Sequence, residues 1–169
     1  MTVPKLASVA DHEASHAVVW WWWWASQPAG HDPGTHRRIL SITIVPTEGE
    51  EGGFHPDIPT FGTNGTRDDI LCLEHVCAMA LAGPVSDDER KEPRQHYTDV
   101  NHCKGLAIAG LPSLAEATMF LEKLRPKVRL FLERPEVRVM VEGLAEALLE
   151  HKTLTGDEAV SAIKESLSG

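Results

Sequence analysis

The run His12-Glu13-Ala14-Ser15-His16 constrains this chain more than any other feature, because its chemistry works only if the segment is helical. A helix stacks residues four apart on one face, so the imidazoles of His12 and His16 can converge on a single ion while Glu13 projects beside them. With nine His in 169 residues, accidental copies of this pattern are expected only about 0.04 times.

Each residue type has a chemical reason to be there. Neutral imidazole is a good zinc ligand, and zinc lowers the pKa of water from about 15.7 to about 7. A carboxylate next to the first ligand can take the water's proton and pass it to a leaving amine. The segment therefore predicts one zinc ion, with His12 and His16 as ligands and Glu13 as the catalytic base.

The rest of the composition bounds the setting. A chain of 169 residues with 42% apolar content suits one domain with its own core. A formal charge of −9 argues against nucleic acid or an anionic membrane as the main partner, since both need clustered Lys and Arg. The one basic region, Lys123 to Arg138, is interleaved with Leu, Val and Glu and reads as a solvated helix face. Cys72, Cys77 and Cys103 show no C-x-x-C spacing; three cysteines with no signal peptide predict buried free thiols and a reducing, cytoplasmic location. The run Ala17 to Ala25 gives nine apolar residues, half of a membrane span, so no stable membrane insertion is expected.

Capping and periodicity give the element order. Ser8 with Asp11 suggests a capping box, so the first helix is expected from about Val9 to Ser26. Gln27 to Arg38 reads as a loop, and Ile39 to Val45 as a strand stopped by Pro46. A turn over Gly49 to Gly53 would return the chain through a strand at Phe54 to Ile58. Thr66 opens a second helix expected to end at Gly83-Pro84, with Val85 to Tyr97 a polar loop. A third helix starts at Thr98 and ends near Gly110. Helices then follow over Ser113 to Leu132, Pro135 to His151 and Thr155 to Leu167, the last with a Thr155/Glu158 capping box. The prediction is a mainly α fold with a small β-sheet (α+β). It forms one domain, 1–169: a zincin-like helix carrying H-E-x-x-H and the small sheet within 1–112, and a C-terminal helical bundle over 113–169.

A catalytic zinc usually has three protein ligands, so one is missing from the motif. The extension H-E-x-x-H-x-x-G-x-x-H would need Gly where Val19 stands and His where Trp22 stands, which excludes it. A helical Glu further on is a second option, and Glu74 is the one so placed.

Several further pieces carry a resemblance. His12-Glu13-Ala14-Ser15-His16-Ala17-Val18, Ile42-Thr43-Ile44-Val45-Pro46, Gly52-Gly53-Phe54, Leu81-Ala82-Gly83-Pro84 and Thr98-Asp99-Val100 resemble, in order and spacing, the peptidase domain of FtsH-type zinc metalloproteases. Leu144 to Glu150 and Thr153 to Glu158 resemble that domain's C-terminal helices. The resemblance implies Asp99 as the third zinc ligand, with Thr98 capping its helix; His96 and His102 flank it as competitors. Where that family shows a small residue and then Glu, this chain has Val85-Ser86-Asp87-Asp88-Glu89. Asp87 or Asp88 is thus expected either to hold a ligand histidine through its other ring nitrogen or to form a solvated turn. Ser15 replaces the family's glycine. No G-x-x-x-x-G-K-[ST] loop is present, so no ATP use is expected.

Every tryptophan lies in Trp20 to Trp24. Five consecutive helical positions sweep more than a full turn, so one or two rings are expected at the surface, with Trp20 and Trp23 on the histidine side. Such a surface suits self-association or a protein partner. Tyr97 and His102 are the residues nearest Asp99 that can be weighed as oxyanion stabilisers. The activity expected is that of a zinc metalloendopeptidase cutting unfolded or flexible polypeptides, which pair with the sheet around Ile42–Val45 or Gly53–Ile58. The alternatives are an inactive metal-binding or protein-interaction module of the same fold, and a regulatory protease with a single target.

Overall fold

The computed structural model of the protein describes residues 3–23, 38–46, 52–58, 67–90 and 97–168. Its elements run α1 (Val3–Trp22), β1 (Ile39–Thr43), β2 (Gly53–Pro56), α2 (Arg67–Arg90), α3 (Tyr97–Gly110), α4 (Leu114–Leu132), α5 (Pro135–His151), β3 (Thr153–Thr155) and α6 (Gly156–Ser166). The fold is mainly helical with one small antiparallel sheet, as the periodicity predicts.

The C-terminal signals act as their chemistry dictates. Ser113 caps α4 by accepting from the Glu116 N–H at 3.2 Å, Pro135 stands at the start of α5, and Thr155 and Glu158 form a full capping box on α6. The N-terminal box does not form. α1 begins at Val3, so Ser8 lies inside the helix, where it is buried.

The second correction bears on the site. Gly83-Pro84 does not end α2, which runs on to Arg90. Pro84 has no N–H for the Ala80 carbonyl, but the stretch from Ala78 to Asp87 is buried, and leaving the helix there would strand several backbone groups away from water. Tertiary burial outweighs the local stop signal. α2 also contains a window, Ile70–Asp88, long and apolar enough to cross a membrane; 78% of it is buried within the fold.

The sheet order is β2-β1-β3. β3 has no counterpart among the expected elements, since Thr153 and Leu154 fall between the last two helices and Thr155 at the start of the final one; three residues with one buried side chain, Leu154, are too short to show alternation. It pairs Ile42 with Leu154, while the Lys152 carbonyl accepts from the Ile44 N–H at 2.9 Å. β2 pairs Ile42 with Phe54 and stops at Pro56, short of the expected Ile58. β1 is therefore the central strand and offers no free edge, which removes Ile42–Val45 as a place for a pairing peptide.

α1 is buried between α2, α5 and the sheet, and one core cluster joins residues from both ends of the chain. That burial accounts for the tryptophans. Trp20 and Trp23 are buried, Trp20 against His75 and Trp23 against Phe131; Trp21 and Trp22 are half-buried and stacked at 5.3 Å. Trp20 and Trp23 are the covered pair, while Trp21 and Trp22 keep part of their rings at the surface, as the run of consecutive helical positions requires. Trp24, the turn at 49–51, the Thr66 cap, His96 and the side chains of Tyr97 and Thr98 lie outside the described residues.

Candidate metal centre

α1 brings His12 and His16 to one buried face, with their ring centroids 4.7 Å apart. Their outer nitrogens are each held by α2. His12 Nδ1 donates to Asp87 Oδ2 at 2.8 Å, and His16 Nδ1 donates to the Met79 carbonyl at 2.7 Å. A carbonyl can only accept, so His16 carries a proton on Nδ1 and turns its Nε2 inward. Met79 and Asp87 sit one turn before and one turn after Gly83, so a single stripe of α2 orients both rings.

α3 supplies the third group. Asp99 lies in its first turn, where a carboxylate suits the helix dipole, and its side chain is 32% exposed while both imidazoles are nearly enclosed. Asp99 Oδ2 lies 3.2 Å from His12 Nε2 and 3.7 Å from His16 Nε2, and the two Nε2 atoms are 3.1 Å apart. The helix starts at Tyr97, one residue earlier than predicted, so Thr98 lies within its first turn rather than before it.

Three donor atoms at these separations fit a small divalent ion. Bonds of about 2.0–2.1 Å in tetrahedral array put neighbouring ligand atoms roughly 3.3 Å apart, close to the three separations found. His12, His16 and Asp99 together can hold a metal ion. Two imidazoles and a carboxylate enclosed together need a positive charge among them, which a proton supplies in metal-free protein. Burial alone would lower the His12 pKa, but Asp87, Asp99 and the charge of Glu13 raise it to about 9. Burial would likewise raise Asp99, yet its hydrogen bonds to His12 and His16 hold it well below the usual carboxylate range.

Glu13 is buried beside the ligands, at the wall where the chain enters β2; a Cβ on Gly52 would lie 2.9 Å from Glu13 Oε1. The other candidates fall elsewhere. Asp88 is exposed and pairs with Arg125 of α4, so only Asp87 of the acidic pair reaches a histidine. Glu74 faces α4, where Lys127 Nζ approaches it at 3.5 Å, and cannot be the third ligand. His102 is exposed and does not belong to the ligand group.

The Met79 carbonyl escapes sequence reading because a backbone acceptor has no side chain to notice, and the sequence marks Gly83 only as a helix end and as part of Leu81-Ala82-Gly83-Pro84, not for its place beside the histidines. Behind the site, Cys77 and Cys103 join α2 to α3 as buried free thiols, each sulfur approaching the other's carbonyl, at 3.8 and 3.6 Å. The contact with Cys103, and then burial, push the Cys77 thiol far above its ordinary range, which suits a structural role. No family model matches this chain, and no curated protein matches it either.

Proposed function

We propose that this protein is a zinc-dependent metallopeptidase, resembling the FtsH-type peptidase domain, that hydrolyses peptide bonds in unfolded or flexible polypeptides without ATP. One observation carries the proposal: two imidazole nitrogens and a carboxylate converge at tetrahedral spacing beside Glu13, the residue that follows the first ligand. Two nitrogens and one oxygen favour a borderline ion such as zinc over calcium or magnesium, which prefer all-oxygen sites. Three protein ligands also leave a position for water or substrate, as catalytic zinc sites do.

Zinc, when bound, supplies Lewis acidity toward a peptide carbonyl and toward water. The chain's own residues do the rest. Asp87 and the Met79 carbonyl keep both Nε2 atoms aimed inward. Glu13, buried next to them, takes the proton of the attacking water and returns it to the leaving amine. β2 is an edge strand whose approach passes Glu13 at Gly52, so an extended peptide paired along it would run past the base.

The test is metal analysis of protein purified without chelator, followed by a casein or peptide-library assay of wild type against Glu13→Gln. One zinc per chain in both proteins, with cleavage lost only in the variant, is the expected result. Zinc bound without cleavage of any substrate would favour the inactive binding module. Cleavage of one cellular protein and not of casein would favour the single-target protease. A chain that binds no metal and cleaves nothing sinks the proposal.

A further inference from the structure

At Gly83 the backbone of α2 passes directly against the two histidines. A Cβ built there would lie 2.4 Å from His16 Nε2 and 2.5 Å from His12 Nε2. The same Cβ would lie 2.5 Å from His12 Cε1, so a methyl group at 83 would press on both rings and force them out of the arrangement that holds their Nε2 atoms 3.1 Å apart.

Neither ring has an easy retreat. His12 is tied through Nδ1 to Asp87 and His16 through Nδ1 to the Met79 carbonyl, both on α2 itself. Moving either imidazole away from position 83 breaks the bond that sets its proton and its direction. Local propensity runs against a glycine here, since alanine is the better residue in a helix interior.

We infer that Gly83 is the positioning residue of the metal centre: the Met79–Gly83–Asp87 stripe of α2 aims the two imidazoles and, through the missing side chain at its middle, leaves room for the ion. A side chain at 83 forces the two imidazoles out of their converging arrangement and so weakens the metal site, with every ligand residue still present in the chain. The inference rests on the metal reading but not on turnover.

The test measures zinc affinity by chelator competition, and thermal unfolding with and without zinc, for wild type and Gly83→Ala. Wild type is expected to bind one zinc and to gain unfolding temperature from it. Gly83→Ala should lose at least 100-fold in affinity, and with it the zinc-induced gain. Affinity within threefold of wild type in Gly83→Ala overturns the inference and leaves the metal reading standing. A wild type that binds no zinc instead overturns the metal reading. In that event, or if Gly83→Ala fails to fold alone, the same substitution in a His12→Ala, His16→Ala background decides. Restored or raised stability once the imidazoles are gone supports the steric gap, whereas an equal loss with and without them overturns it.

Discussion

Asp87 Oδ2 lies 2.8 Å from His12 Nδ1, a contact between a fully buried carboxylate and a buried histidine 75 residues away. It fixes the proton of His12 on the outer nitrogen and raises the basicity of the inner one. Asp87→Ala is therefore expected to weaken zinc binding about 10–100-fold. Asp88→Ala, which breaks only a surface pair with Arg125, should leave zinc affinity unchanged. Chelator competition on the two variants checks this, and equal losses in both would contradict it.

Metal uptake should release a proton. His12, with its pKa raised to about 9, is charged at pH 7 in metal-free protein, so an ion must displace the proton on Nε2. Apparent zinc affinity should rise about tenfold per pH unit up to about pH 9, and calorimetry in buffers of different ionisation enthalpy should count one proton released. The same shift has a sign for stability. A raised histidine pKa stabilises metal-free protein fully below its ordinary value of 6.5 and loses that contribution as pH rises through about 9. Asp99 is lowered, so its contribution is present above its ordinary value of 3.8 and is lost in acid. Unfolding curves of metal-free protein should thus weaken from pH 7 to 9, while zinc-loaded protein should not.

Gly52 tests the placement of Glu13 as the proposed base. A Cβ there would come within 2.9 Å of Glu13 Oε1 and also of the Thr43 carbonyl and Val9 Cγ1. Gly52→Ala is expected to lose some stability through the Thr43 backbone contact and, by pushing the carboxylate aside, to lower kcat about 10²-fold while zinc stoichiometry stays at one. Steady-state kinetics alongside metal analysis separate this from a folding defect, in which both would fall together.

Two glycines outside the site should behave in opposite ways. A Cβ on Gly156 would lie 1.7 Å from the Ile39 carbonyl, where α6 begins against β1, and backbone cannot give way as a side chain can. Gly156→Ala should cost about 3 kcal/mol. Gly105 lies within α3 with nothing within 4 Å of its would-be Cβ, so Gly105→Ala should gain roughly 0.5–1 kcal/mol from helix propensity. Denaturant unfolding of the pair reads both, and a stable Gly156→Ala would show that α6 does not sit as closely on β1 as described.

Sequence alone determined whatever depends on neighbours within a turn or two. Spacing of four put His12 and His16 on one helical face, Thr155 and Glu158 set the start of α6, Ser113 and Pro135 set α4 and α5, and alternation marked β1. Only tertiary structure decided how those faces meet. Asp99 reaches His12 across 87 residues, Asp87 across 75, and the Met79 carbonyl reaches His16 across 63. Burial carried α2 through Gly83-Pro84, where local chemistry signals a stop, and so placed Asp87 one helical turn beyond Gly83. Periodicity encodes which side of a segment is apolar, but not which partner covers it. The convergence of α1, α2 and α3 on one point is a product of packing, and a backbone carbonyl or a missing side chain leaves almost no trace in the sequence that predicts it.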